Sequence, residues 1–235
     1  MHQTTLSSAP GTENAKRDVH RSDIRILSIG LQGTLNVPVS VHGLVTFAHG
    51  SGSSRLSPRN NAVAEALNKD GIATLLFDLL TTDEESNRAN VFDVPLLAGR
   101  LVDAVHWLDR EPTLRGLPLG LFGASTGAAA ALVAATQLGD RIAAIVSRGG
   151  RPDLAGDALD IVRTPTLLIV GGDDLLVIDL NRVALARLKG PKALEIIPGA
   201  SHLFPEPGAL DAVVDHARSW FKRYLRRDSE PTSES

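Results

Sequence analysis

The sequence predicts an α/β fold: a mostly parallel sheet of about eight strands with helices on both faces. Three observations predict it. From about Ile24 onward, short β-rich runs alternate with amphipathic runs at helical spacing, which is the pattern of a doubly wound sheet. A pair of strand-like segments precedes the first crossover. No repeat or linker interrupts the series, and 235 residues suffice for one core, so a single domain is expected over 23–227.

The elements follow in order. Ile24 to Ile29 and Val37 to Val41 read as an antiparallel pair separated by the Gly- and Asn-containing segment GLQGTLN. Gly43 to Ala48 is a buried strand. Pro58 to Asp70 then puts Ala62, Val63, Ala66 and Leu67 on one helical face, with Pro58 suited to the start. Ala73 to Asp78 is the next strand, followed by the polar loop TTDEESNRAN and a helix from Pro95 to about Arg110. Leu117 to Gly123 runs straight into a helix of small residues after Ser125. Ala143 to Ser147, Thr166 to Val170 and Ala193 to Ile197 complete the strands. Helices lie near Ile178 to Leu188 and from Gly208 to about Arg226. Residues 1–22 and 228–235 are polar and read as disordered tails.

Composition removes several functions. At 43% hydrophobic and 22% charged, with net charge −3, the chain is an ordinary globular protein, and no basic surface points to nucleic acid. The absence of cysteine removes disulfides, thiolate ligands and thiol catalysis, and it fits a cytoplasmic setting. The start lacks the apolar core of a secretory signal, and no apolar run is long enough for a membrane span. There is no HExxH, no P-loop and no cofactor fingerprint, so neither metal nor cofactor is expected.

The sharpest local signal is Gly123-Ala-Ser125-Thr-Gly127, which matches the nucleophile elbow G-x-S-x-G. Its glycines are needed because the serine sits on a strained strand-to-helix turn. Three fixed residues alone would recur by chance in roughly one chain in ten. The apolar strand before and the Ala-rich helix after supply the context that chance would not. The plain alternative is a Ser/Thr cap at an ordinary tight turn.

A serine hydroxyl needs a base. Of seven histidines, His2 and His20 lie in the tail, His42 precedes a strand, and His106 and His216 fall inside helices. His202, in the loop after the last strand, falls at the C-terminal edge of the sheet and follows Ser125 in the order this chemistry uses. An orienting acid is expected at the end of the strand TLLIV, in Gly171-Gly172-Asp173-Asp174. Asp174 is preferred by its spacing, with Asp173 as the alternative, whereas Asp179 reads as the start of a helix. The oxyanion donors are assigned to the backbone N–H groups of Ser51 and Thr126, with Gly50 and Gly52 allowing close approach of the substrate. Taken alone, HGSGSS could also be a flexible turn or a phosphate-cradling loop. A dinucleotide fingerprint fails because position 55 is arginine. Arginines cluster beside these loops at Arg55, Arg59, Arg148 and Arg151. They could bind an anionic substrate group or pair with Asp93, Asp153 or Asp157.

With the elbow, the HGSG loop, the GGDD turn and the GASH loop in order, the chain from about Ile24 to Arg226 resembles the α/β-hydrolase superfamily. Within it, the stretches RNNAVAEALNKDGIATLLFDLLT, SRGGRPDLA and TLLIVGGDD are similar to the dienelactone hydrolase family, including domains found beside phosphoribosyltransferases. The resemblance implies a compact, lid-poor hydrolase. It departs at the nucleophile, which is cysteine in dienelactone hydrolase itself and Ser125 here. The expected activity is therefore hydrolysis of small to medium carboxylic esters, with a thioesterase, lactonase or acyltransferase using the same residues, or a non-catalytic ligand receptor, as alternatives. Only about Gly149 to Arg163 stands where a cap would be inserted, so the cleft is expected to be open, bordered by Leu56, Phe92 and Phe204 and partly covered by Thr81 to Val94.

Overall fold

The computed structural model describes residues 19–26 and 30–226. Of the tails expected at 1–22 and 228–235, residues 1–18 and 228–235 lie outside the described residues. One sheet of eight strands runs through the molecule: β1 (Val19–Ile26), β2 (Leu31–Pro38), β3 (Gly43–Ala48), β4 (Ile72–Phe77), β5 (Leu119–Ala124), β6 (Ile142–Arg148), β7 (Thr166–Gly171) and β8 (Lys192–Ile197). Their spatial order is β1-β2-β4-β3-β5-β6-β7-β8, antiparallel at β1-β2 and β2-β4 and parallel elsewhere.

Two boundaries differ from expectation. The first described strand covers Val19 to Ile26, so Val19 to Ser22, read as part of the tail, pair with Leu35 to Pro38. The segment GLQGTLN is mostly strand and not connection. Gly33 pairs with Ile24 on one side and Phe77 on the other, and a Cβ there would stand 3.2 Å from both side chains. The glycine that suggested a turn serves close strand packing.

The helices are α1 (Pro58–Lys69), α2 (Thr82–Ser86), α3 (Arg88–Val91), α4 (Val94–Leu108), α5 (Thr126–Leu138), α6 (Ala158–Ile161), α7 (Leu175–Arg187) and α8 (Ala209–Tyr224). Val63, Ala64 and Leu67 of α1 pack with Val213, Ala217 and Phe221 of α8 against one face of the sheet. Leu97, Leu101 and Val105 of α4 and the alanines of α5 cover the other. Among the described residues, no helix is long and apolar enough to cross a membrane.

The strand order positions the site. After β3 the chain turns back to β4 on one side, and then β5 comes in on the other. Loops leaving the C-terminal ends of β3 and β5 therefore diverge and open a crevice, where sites in such sheets form. Gly50 to Gly52 leave β3 there, and Ser125 leaves β5.

Candidate active site

Ser125 has φ 51° and ψ −121°, a conformation that side chains avoid. The surroundings force it. The Ser125 N–H donates to the Arg148 carbonyl at 3.2 Å, and its own carbonyl accepts from the N–H of Ala128 at 3.1 Å and of Arg151 at 3.0 Å. On either side no side chain fits. A Cβ at Gly123 would lie 2.5 Å from Ala128 Cα, and one at Gly127 would run into the Ala48 carbonyl oxygen. The turn thus presents the hydroxyl at the N-terminus of α5, where the dipole favours negative charge.

Asp174 and His202 come from the ends of β7 and β8. The two turns are stitched together by Gly172 N–H donating to Ile197 O at 2.8 Å and Asp173 N–H donating to Ala200 O at 3.0 Å. With the backbone so registered, His202 Nδ1 lies 2.6 Å from Asp174 Oδ2. Asp174 is the more buried partner, at 17% against 40% side-chain exposure for the histidine. Of the three candidate acids, Asp174 is the one placed within hydrogen-bond distance of His202, whereas Asp173 is exposed and Asp179 pairs with Arg182. The His202 loop leans on the elbow's neighbour, since a Cβ at Gly149 would stand 3.6 Å from His202 Cε1.

Gly50 approaches the serine so closely that a Cβ there would be 2.9 Å from Ser125 Cβ. The Ser51 N–H, assigned to the oxyanion hole, donates to the Thr126 hydroxyl at 3.1 Å. The sequence reading had given Thr126 only a backbone role. His49 was also missed. Its Nε2 accepts the Leu79 N–H at 3.0 Å and its Nδ1 lies 3.0 Å from the Gly50 carbonyl. A neutral ring with its proton on Nδ1 makes both bonds and holds this loop to the end of β4. The sequence signal was its position directly after β3.

Gly52 has φ +68° at the turn that follows. Beyond it a cleft of about 490 Å³ is lined by Ser51, Gly52, Glu85, Arg88, Val91 and Phe92. The segment 81–93 does stand over this crevice, but it is helical in α2 and α3 where a polar loop was expected. Its helices are set by caps: Thr81 Oγ1 accepts from Glu84 N–H while Glu84 Oε2 accepts from Thr81 N–H. The Glu84 carboxyl is held below its ordinary value, first by that backbone bond and then by the Arg100 charge. Of the residues expected to border the cleft, Leu56 and Phe92 are exposed, whereas Phe204 is buried in the core under α8.

The arginines separate. Arg55 is paired with Asp78 at 2.6 Å and Arg151 with Asp153 at 2.7 Å, so both take part in internal ion pairs, Arg151 with one of the aspartates weighed for it and Arg55 with one that was not. Arg148 is buried beside Asn60 and Phe204, with its guanidinium 5.9 Å from the phenyl centroid.

The chain is 54% identical to a dienelactone hydrolase from Anabaena variabilis of known crystal structure, with a TM-score of 0.85 over 89% of this chain and 99% of that one. It belongs to the dienelactone hydrolase family. Est1E from Butyrivibrio proteoclasticus has the same fold, at 18% identity and a TM-score of 0.74 over 87% of this chain and 98% of that one. Two Mycobacterium tuberculosis proteins, from strains CDC 1551 and H37Rv and provisionally named phosphoribosyl transferases, are 57% identical over 197 residues. That stretch is 84% of this chain but 44% of each of them, so the chain spans less than half of these relatives. No protein-family profile matches the sequence. The fold is that of the α/β hydrolases.

Proposed function

We propose that the chain is a serine hydrolase cleaving small to medium carboxylic esters through an acyl-enzyme at Ser125. The observation that carries the reading is the 2.6 Å contact of Asp174 with His202, with the His202 loop against Gly149, next to the Arg148 carbonyl that accepts the N–H of the strained Ser125. In this mechanism His202 Nε2 takes the Ser125 proton as Oγ attacks the ester carbonyl. Asp174 holds the tautomer that leaves Nε2 free and stabilises the imidazolium, without itself taking the proton. The tetrahedral oxygen, now negative, is held by the N–H groups of Ser51 and Thr126. His202 returns the proton to the leaving alcohol, then activates water against the acyl-enzyme. No step needs a cofactor, and the partner is a small-molecule ester at a cytoplasmic site of action.

A lactone is a second reading, favoured by the name of the 54% identical structure, because a cyclic ester passes through the same steps. Thioester cleavage and acyl transfer would use these residues as well. The transferase name of the mycobacterial proteins is carried over to no residue of this chain.

The test is fluorophosphonate labelling with hydrolysis of a p-nitrophenyl ester series, wild type against Ser125→Ala. Labelling should vanish in the variant and turnover should fall roughly 10⁵-fold or more, the scale of removing a triad nucleophile. A folded wild type that neither labels nor turns over would point to a ligand-binding protein. Asp174→Asn should cost about 10⁴-fold in kcat. An equal loss in Asp173→Asn would overturn the assignment of the acid.

A further inference from the structure

Arg148 and Arg59 differ from the other arginines around the crevice. Arg148 is 6% exposed, makes one long hydrogen bond from Nη2 to Asn60 Oδ1 at 3.4 Å, and leaves its buried Nε without a partner. The Nε of Arg59, at the start of α1, is also buried and unbonded. Neither guanidinium forms an ion pair with a carboxylate among the described residues, although Arg55 and Arg151 nearby both do. The pair is mutually repulsive: burial, and next the charge of Arg59, lower the Arg148 pKa to about 10.

Burying a cation without a counter-ion is costly, and a second cation facing it raises that cost. The partners of Arg148 are the neutral Asn60 amide oxygen and the Phe204 ring, neither of which supplies a full counter-charge. What the arrangement offers is a buried N–H donor without an acceptor on each guanidinium, together with two positive charges. A carboxylate would neutralise one of them. A phosphate monoester brings close to two negative charges and three acceptor oxygens, which suits two planar donor forks. The location is adjacent to the chemistry. The Arg148 carbonyl accepts from Ser125 N–H at 3.2 Å, and the following Gly149 abuts His202.

We propose that Arg59 and Arg148 form a phosphate-binding site behind the His202 loop, and that it receives a phosphate group carried by the ester substrate. The second half rests on the hydrolase reading above; the first does not.

The full chain would be titrated with sodium phosphate by calorimetry and thermal unfolding, against sodium chloride at equal ionic strength. The wild type should bind and gain Tm with phosphate alone, and Arg59→Gln, at a partly exposed position that should fold, should bind on the order of tenfold more weakly. No phosphate-specific heat or Tm shift in the wild type, or equal binding in Arg59→Gln, overturns the site. To separate a substrate's phosphate from free phosphate, kcat/KM would be compared for 2-phosphoethyl acetate and 2-methoxyethyl acetate. A preference for the phosphate ester that Arg59→Gln removes supports the full proposal. Phosphate binding without that preference overturns the substrate half and leaves free phosphate as the ligand. Because binding is read without turnover, absent fluorophosphonate labelling beside intact phosphate binding would sink the hydrolase reading alone.

Discussion

The elbow at residues 123–127 and the segment 81–93 border one crevice and are built by opposite rules. The elbow is held by volume. Gly127, Ala128, Ala129 and Ala130 are buried, the flanking glycines admit no methyl, and Ser125 sits in a backbone state that only this surrounding can maintain. The segment 81–93 is held by polar bonds at its surface. Neither α2 nor α3 buries a residue, and their place is kept by the Thr81–Glu84 box, by Asn90 Nδ2 donating to Glu84 O at 2.9 Å, and by Arg100 reaching Glu84 at 2.6 Å. The contrast teaches where each property resides. Close packing fixes the proposed nucleophile, and a capped, exposed strip lines the crevice beside it.

The largest effect should come from breaking the first rule. Gly127→Ala drives a methyl into the backbone oxygens of Ala48 and His49, which cannot move without displacing β3, so a loss of about 4 kcal/mol or outright failure to fold is expected. Gly52→Ala meets no atom within 4 Å and carries only the strain of φ +68°, about 1 kcal/mol. Urea unfolding of the two variants distinguishes them, and equal losses would mean that volume does not govern the elbow.

Ser125→Gly comes next and has the opposite sign. It should abolish labelling while stabilising the fold by about 1 kcal/mol, the strain released at φ 51° less glycine's extra chain entropy. A destabilised Ser125→Gly protein would show that little strain is stored there.

A smaller effect tests the polar rule. Because the folded-state pKa of Glu84 lies below its ordinary value of 4.5, its contribution is complete above that value and is lost as pH falls through the lower folded one. Amide protection in 81–93, taken relative to the intrinsic exchange rate at each pH, should therefore fall on acidification below about pH 4.5 before the core opens, and Glu84→Gln should show that weaker protection already at pH 7. Exchange that rises only together with the core would tie the segment to the global fold. Smallest of all, Phe92→Ala, at 48% exposure, should shift stability by no more than about 0.5 kcal/mol yet alter the ratio of long-chain to short-chain ester turnover. An unchanged ratio would remove the segment from substrate selection.

The same contrast explains what could be read from the sequence. The elbow was legible because its constraint is local: two glycines, a serine and an alanine-rich run lie within a few residues of one another. Asp174 and His202 could be picked out because strand ends in such a sheet share an edge, and Asp174 is preferred over Asp173 by its spacing; what the sequence could not supply is the 2.6 Å contact, which depends on the register of Gly172 against Ile197. The second strand was misplaced because Gly33 and Asn36 carry a turn signal, while their burial between β1 and β4 is a property of the assembled sheet. The helices of 81–93 have no apolar periodicity to find. The arginines were the hardest. Arg55 has its acid 23 residues away at Asp78, so nothing in the sequence separates it from Arg59, which has none among the described residues.

The bond between Ser51 N–H and the Thr126 hydroxyl gives the proposed oxyanion site a resident occupant. An incoming ester oxygen has to displace it, and as a neutral acceptor it gains no more than the hydroxyl already provided. Once attack has placed charge on that oxygen, the exchange becomes favourable, since hydrogen bonds to an ionised acceptor are roughly twice as strong as neutral ones. Thr126 would thus act as an internal competitor, one that bystander carbonyls match without advantage and only a reacting one outbids.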